Sequence, residues 1–168
     1  MKAMPVEGNK PILVTGPTGY IGGRLIPELL SRGYRVRAFG RSLEKMSCRP
    51  WASHDHVELF QGDMLDAPAT VQAAEGCEAA YYLVHSMIAQ KRRYAAADRR
   101  AAGNMRLAAE KTGMKQIIYL GGLGDVTHRA ISIRLRSRHE VGSILQSGSV
   151  PATVLRAAMI IGSGSASF

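Results

Sequence analysis

The segment Thr15-Gly16-Pro17-Thr18-Gly19-Tyr20-Ile21-Gly22-Gly23 places glycines in the pattern G-x-x-G-x-x-G. It follows the apolar run 11–15 and precedes a stretch with Ile21, Leu25 and Leu29 at helical spacing. A strand, a glycine turn and a helix in that order suit the binding of a pyrophosphate. Gly16 allows the tight turn out of the strand. Gly19 lets the backbone come close to a phosphate that a side chain would keep away. Gly22 permits close packing of the helix on the sheet. Thr18, Tyr20 and Ile21 complete the turn, where the free amides and the dipole of the helix N-terminus favour an anion.

The end of the second strand bears on which dinucleotide is held. A carboxylate about 20 residues after the glycine turn binds the ribose hydroxyls of NAD. Here that position reads Ala38-Phe39-Gly40-Arg41-Ser42, with no acid. A guanidinium matches phosphate geometry, so Arg41, assisted by Ser42 and Lys45, points to a 2′-phosphate. NADP(H) is therefore expected in preference to NAD(H), with NAD(H) as the alternative.

The elements that must position these residues alternate along the chain. Strands are expected at 11–15, 34–39, 56–62, 79–84, 115–122 and 151–161. Helices are expected at 20–32, 67–76, 90–112 and 134–147. Pro27 inside the first helix removes a donor and should kink it or loosen its first turns. Pro151 opens the last strand, where no ladder donor is needed. This alternation predicts an α/β, three-layer, doubly wound parallel sheet of about six strands, a Rossmann architecture. Residues 1–10 read as a disordered leader and 11–168 as one domain.

Length and composition fit that reading. The chain has 168 residues, enough for one domain to build a core without disulfides or metals. Cys48 and Cys77 form no CxxC pair and read as reduced thiols of a cytoplasmic protein. No apolar run reaches the ~18 residues of a membrane span. The net charge of +9 raises nucleic acid as a partner. The cations are dispersed, however, and no aromatics are interleaved as stacking platforms, so nucleic acid is not expected. His54-Asp55-His56 lacks a third ligand at sensible spacing, and no metal is expected. The sequence leaves the oligomeric state open, a homo-oligomer included.

Taken in order, TGPTGYIGGRL, VRAFGRS, QGDMLD, YYLVHSM, YLGGLG, LRSRHEVGSIL and VLRAAMIIGSG resemble the atypical short-chain dehydrogenase/reductases of the NmrA-like, NAD(P)H-binding group. The resemblance runs from about Pro11 to Gly164 and is most specific at the glycine turn. It implies that Gly62, Asp63 and Met64 touch the adenine. It places Val84, His85 and Ser86 along the ribose and pyrophosphate, and Leu120, Gly121 and Gly122 at the nicotinamide. It also implies a smaller substrate-binding part beyond residue 168, so the chain reads as a fragment.

The resemblance further implies a Ser, a Tyr and a Lys, the last two spaced Y-x-x-x-K on the helix after the fifth strand. No tyrosine here has Lys four residues on. Arg134 falls where the Tyr is expected and Arg138 where the Lys is expected. The serine position falls within Gly121-Gly122. Arg138 can hold a ribose hydroxyl or stabilise negative charge, but arginine stays protonated and cannot donate a proton. His85, at the end of the fourth strand, is a candidate proton-transfer group, whereas His139 reads as a surface residue. The leading expectation is an NADPH-dependent reductase passing hydride to a small carbonyl-type substrate. The alternatives are a non-catalytic NADP(H)-binding redox sensor of NmrA type and a nucleotide-sugar epimerase or dehydratase.

Overall fold

The computed structural model describes residues 10–85, 93–124 and 132–165. Six parallel strands form one sheet: β1 (Ile12–Thr15), β2 (Val36–Gly40), β3 (Val57–Gln61), β4 (Ala79–Tyr82), β5 (Gln116–Gly122) and β6 (Ala152–Ala157). Their spatial order is β3-β2-β1-β4-β5-β6. The chain winds outward from β1 to one edge, returns to β4, and winds outward to the other edge. The reversal falls between β1 and β4, where a crevice opens beyond the carboxyl ends of the strands. The alternation of elements in the sequence thus leads to the doubly wound sheet it predicted.

The connecting helices are α1 (Gly22–Ser31), α2 (Leu43–Ser47), α3 (Ala67–Ala74), α4 (Arg93–Thr112) and α5 (Ile133–Gln146). Two apolar clusters cover the sheet. One gathers Leu13, Phe39, Tyr82, Met105, Ile117, Tyr119 and Leu145. The other gathers Val14, Ile26, Val36, Met46 and Trp51. Leu13 and Val14 are neighbours on β1 and belong to different clusters, as alternation across a strand requires. β1 is therefore buried on both faces and reads as an uninterrupted apolar run.

Several boundaries differ from the sequence expectation for visible reasons. The first helix runs unbroken through Pro27, which lies on its exposed side. The carbonyl deprived of its amide partner there is that of Gly23, in the first turn, where water can reach it. The five-residue α2 was not anticipated. It is started by Ser42, whose hydroxyl accepts from the Lys45 amide at 3.2 Å. β4 stops at Tyr82 because the next amide, Leu83, turns to the Thr15 hydroxyl at 3.0 Å. β6 ends at Ala157, opposite Gly122 at the end of β5, rather than continuing to 161. The expected start of the long helix at 90–92 and the expected leader at 1–9 lie outside the described residues.

Candidate functional site

The crevice is built on Thr15, which is fully buried. Its hydroxyl donates to the Tyr81 carbonyl at 3.3 Å and accepts from the Leu83 amide at 3.0 Å. One side chain thereby stitches β1 to β4 at the point where the winding reverses. Gly16 follows with φ of +69°, a left-handed conformation that penalises any Cβ. Beyond it the chain turns tightly, the Gly19 amide donating to the Gly16 carbonyl at 3.1 Å.

Gly22 is the most constrained glycine of the turn. A Cβ there would run into the Gly16 carbonyl oxygen and lie 2.9 Å from the Pro17 Cα. The close packing is thus of helix on turn rather than of helix on sheet. Gly19 differs. It is exposed, and an added Cβ would meet only the Gly16 oxygen at 3.3 Å. Its lack of a side chain keeps the space outside the turn open. α1 starts at Ile21 without a side-chain cap. Among the described residues the Tyr20 and Ile21 amides have no protein partner. Bare amides at a helix N-terminus, with a glycine turn held open, fit a pyrophosphate.

At the end of β2, Arg41 is exposed and its guanidinium has no partner among the described residues. Its backbone carbonyl accepts from Gln61 Nε2 at 3.1 Å. Ser42 already caps α2, and Lys45 is exposed. A second cation enters here that sequence reasoning passed over. Arg49 Nη2 donates to the Thr18 carbonyl at 2.6 Å, bringing the loop after α2 against the glycine turn.

After β3, Gly62 lies under the Phe39 ring, which a Cβ would strike at 2.5 Å. Asp63 Oδ1 accepts from the Leu65 amide at 2.9 Å, which fixes the turn. The Met64 side chain is buried in the core and its carbonyl accepts from Asn104 Nδ2 at 2.8 Å. Only the Gly62–Asp63 turn faces outward.

The other half of the crevice lies past β4 and β5. Val84 packs against the main core, and Ser86 lies outside the described residues. His85 is half-buried, with Arg138 Nη2 at 3.4 Å from its Nε2. Burial, then the Arg138 cation, hold its pKa below the ordinary 6.5, against an opposing pull from Asp98. His85 is therefore neutral at pH 7. With Arg138 donating to Nε2, the ring proton resides on Nδ1, which is buried and unpartnered among the described residues.

Gly121 and Gly122 form the floor beside them, with Leu120 half-buried just before. A Cβ on Gly122 would collide with Leu135 Cδ1 and approach Arg138 Cδ at 3.3 Å. A serine at Gly122 would require the Leu135 side chain to turn aside. Arg134 is exposed and Arg138 half-buried, so of the two arginines on α5 only Arg138 reaches the crevice. Tyr119 donates to the Arg138 carbonyl at 3.2 Å and holds the helix down. Tyr119 and Tyr82 are buried; burial, chiefly, raises both pKa values, that of Tyr119 to about 12. Both hydroxyls are buried in the core, and that of Tyr119 is taken up by the Arg138 carbonyl.

The segment after β6 was not foreseen as part of the site. It crosses back from the sheet edge to α1. Arg24 Nη2 donates to the Ser163 carbonyl at 2.7 Å, and the Arg24 guanidinium lies 3.8 Å from the Tyr20 ring centroid. Gly162 abuts the Tyr20 hydroxyl so closely that a Cβ would overlap it. The segment thus passes the carboxyl ends of β5 and β4 on its way to the glycine turn.

A family model described as NAD(P)H-binding matches residues 16–161. A 3 beta-hydroxysteroid dehydrogenase/Delta 5-->4-isomerase of Mycobacterium tuberculosis is 34% identical over 71 residues, which are 42% of this chain and 18% of that protein. Sterol demethylase protein B of Methylococcus capsulatus is 31% identical over 117 residues, 68% of this chain and 35% of that protein. This chain thus spans well under two thirds of either relative. Among solved structures, the Bordetella bronchiseptica enzyme WbmG in complex with NAD superposes with a TM-score of 0.76 at 18% identity, over 91% of this chain and 54% of that one. Citrobacter sp. triphenylmethane reductase complexed with NADP(H) gives 0.72 at 23% identity, over 89% of this chain and 50% of that one. At such identities the structural likeness is one of fold. Among the described residues no helix is long and apolar enough to cross a membrane.

Proposed function

The chain belongs to the NAD(P)H-binding family of reductases and dehydrogenases, and from that premise we propose that it is the NADP(H)-binding domain of a reductase acting on a small carbonyl-type substrate. The cofactor supplies the hydride. The glycine turn and the Tyr20 and Ile21 amides hold the pyrophosphate, and the Gly62–Asp63 turn borders the adenine. Arg41 takes the 2′-phosphate, and no carboxylate stands at the end of β2 to bind the ribose hydroxyls in its place.

The observation that carries the catalytic reading is the Arg138–His85 contact at the nicotinamide end of the crevice. When hydride adds to a carbonyl carbon, the electron pair of the C=O bond moves to oxygen. A fixed guanidinium stabilises that oxyanion. The proton that completes the alcohol comes from water, and His85 steadies the Arg138 guanidinium through its Nε2. A neutral histidine is suited to this, because it neither competes with Arg138 nor repels the cation. The missing Tyr and Lys are thus replaced in function by a cation and an imidazole.

A second reading has support from Gly121-Gly122. A glycine floor overhung by Leu135, with no hydroxyl of its own, suits a binding crevice that senses the cofactor's redox state without turnover. The two readings separate in one experiment. The chain is incubated with NADPH and a panel of aldehydes, ketones and quinones, and absorbance at the nicotinamide band is followed. Acceptor-dependent loss of NADPH that Arg138→Gln and His85→Phe each suppress supports the reductase. NADPH binding with no acceptor-dependent loss supports the sensor.

A further inference from the structure

We propose that the cleft between α5 and β6 is a binding site for a small anionic group, a carboxylate or a phosphate. The cleft has a volume of about 140 Å³ and a floor formed by the Gly121–Gly122 backbone. Arg138 and His139 enter it from α5 and Arg156 from β6. Arg156 stands in register with Gly121, and its neighbour two residues back, Val154, packs 3.5 Å from where a Gly142 Cβ would lie. Alternation along the strand therefore directs Arg156 to the α5 side. Ser143 adds a hydroxyl at the rim.

Three features make this more than a basic patch. The first is that, among the described residues, the lining carries cations and no carboxylate. Arg156 has no ion-pair partner among the described residues, whereas Arg37, Arg99 and Lys115 each have one. The second is that Arg138 and Arg156 reach the cleft from two different elements, α5 and β6, so its basic lining is assembled by the fold rather than by one run of sequence. The third is that the floor is glycine, so an anion can approach both arginines without a side chain intervening. The Arg156 guanidinium presents a planar donor pair to the cleft, which matches the paired oxygens of a carboxylate or phosphate.

The cleft adjoins the Arg138–His85 pair. Resting on the reductase reading, this assigns a substrate class: a carbonyl compound bearing a carboxylate or phosphate, anchored by Arg156 beside the Ser143 hydroxyl while Arg138 faces the reacting oxygen. Such a group would orient the substrate by its remote end and leave the carbonyl free over the crevice.

The test is an NMR titration of the histidine ring resonances with sodium phosphate and, separately, sodium acetate, at constant ionic strength in chloride. The full chain is used, with Arg156→Gln, His139→Gln and, as a control for general charge, Arg100→Gln, an exposed cation on α4. The proposal expects a saturable shift of the His139 ring with at least one anion. Arg156→Gln should weaken that binding roughly tenfold, the loss of one charge-assisted contact. His139→Gln should remove the reporting shift, and Arg100→Gln should change nothing. Saturation by phosphate alone points to a phosphorylated substrate, and saturation by acetate to a carboxylate. No saturable shift with either, or equal weakening by Arg100→Gln, overturns the proposal. NADPH is titrated in parallel. Loss of NADPH binding with anion binding intact would sink the cofactor reading alone. Displacement of the anion by NADPH would return the cleft to the cofactor and overturn the substrate assignment.

Discussion

The two halves of the crevice are made differently. The half formed by β1, α1 and β2 is held by backbone: a glycine at positive φ, a second with no room for a Cβ, bare amides, and Thr15 bonded to β4. Its side chains add charge at the rim, through Arg41 and Arg49. The half formed by β4, β5 and α5 is held by side chains: Tyr119 on the Arg138 carbonyl, Leu135 over Gly122, and Arg138 against His85. Backbone geometry can serve one ligand feature, a pyrophosphate, whatever the rest of the molecule does. Side-chain geometry can be rebuilt for a new chemistry on the same sheet. The first half accounts for family membership, and the second is where this chain leaves the Ser, Tyr and Lys pattern.

That contrast gives predictions of decreasing size. Gly19→Val should weaken NADPH binding by about 100-fold or more, since it blocks charge-assisted contacts from the turn. The same change should lower the melting temperature only modestly, because the position is exposed and an added Cβ meets a single backbone atom, the Gly16 oxygen, at 3.3 Å. Isothermal titration and thermal melting check both, and a large loss of stability would contradict the account. Gly122→Ser, which restores the family's side chain, should instead cost about 1 kcal/mol, because the half-buried Leu135 side chain must change rotamer to make room. Urea unfolding measures this; a neutral or stabilising result would mean that Leu135 turns aside freely.

A smaller effect is expected with pH. The native His85 binds a proton less readily than in the unfolded chain, where its pKa is near 6.5. The unfolded state therefore binds more protons as pH falls below that value, and stability drops with it. Above it the group contributes no slope. His85→Gln should flatten the stability–pH curve between pH 6.5 and the depressed native pKa, and an unchanged curve would contradict the buried neutral assignment. The smallest effect concerns the thiols. Cys77 is buried and, mainly through desolvation, its pKa is pushed up to about 11, whereas Cys48 is exposed. An aromatic disulfide reagent should modify one thiol quickly in the native chain and the second only on unfolding.

The first half was largely legible in the sequence. Gly16, Gly19 and Gly22 follow β1 directly and open α1 after a short turn, and local spacing is enough to read such a motif. The six strands were legible for the same reason, since apolar runs and turns alternate. What escaped was set by contacts between residues far apart in the chain. Arg49 meets Thr18 across 31 positions and Arg24 meets Ser163 across 139, and neither leaves a periodic trace. A second arginine shortly after Arg41 was the available hint for Arg49. The crowding over Gly122 depends on how α5 docks, so the sequence showed that serine was missing and not that Leu135 overhangs its place. His139 read as a surface residue from its place beside Arg138 on the same helix, yet it is half-buried along the α5–β6 cleft and its Nε2 is shut off from solvent.

The central claim is that this crevice binds NADP(H) through the glycine turn and selects it through Arg41. Titrating the chain with NADPH and with NADH, before and after Arg41→Ala, tests it most directly. The account predicts tighter binding of NADPH, a loss of roughly tenfold to 100-fold for NADPH in the variant, and little change for NADH. Equal affinity for the two nucleotides, unmoved by Arg41→Ala, would contradict it.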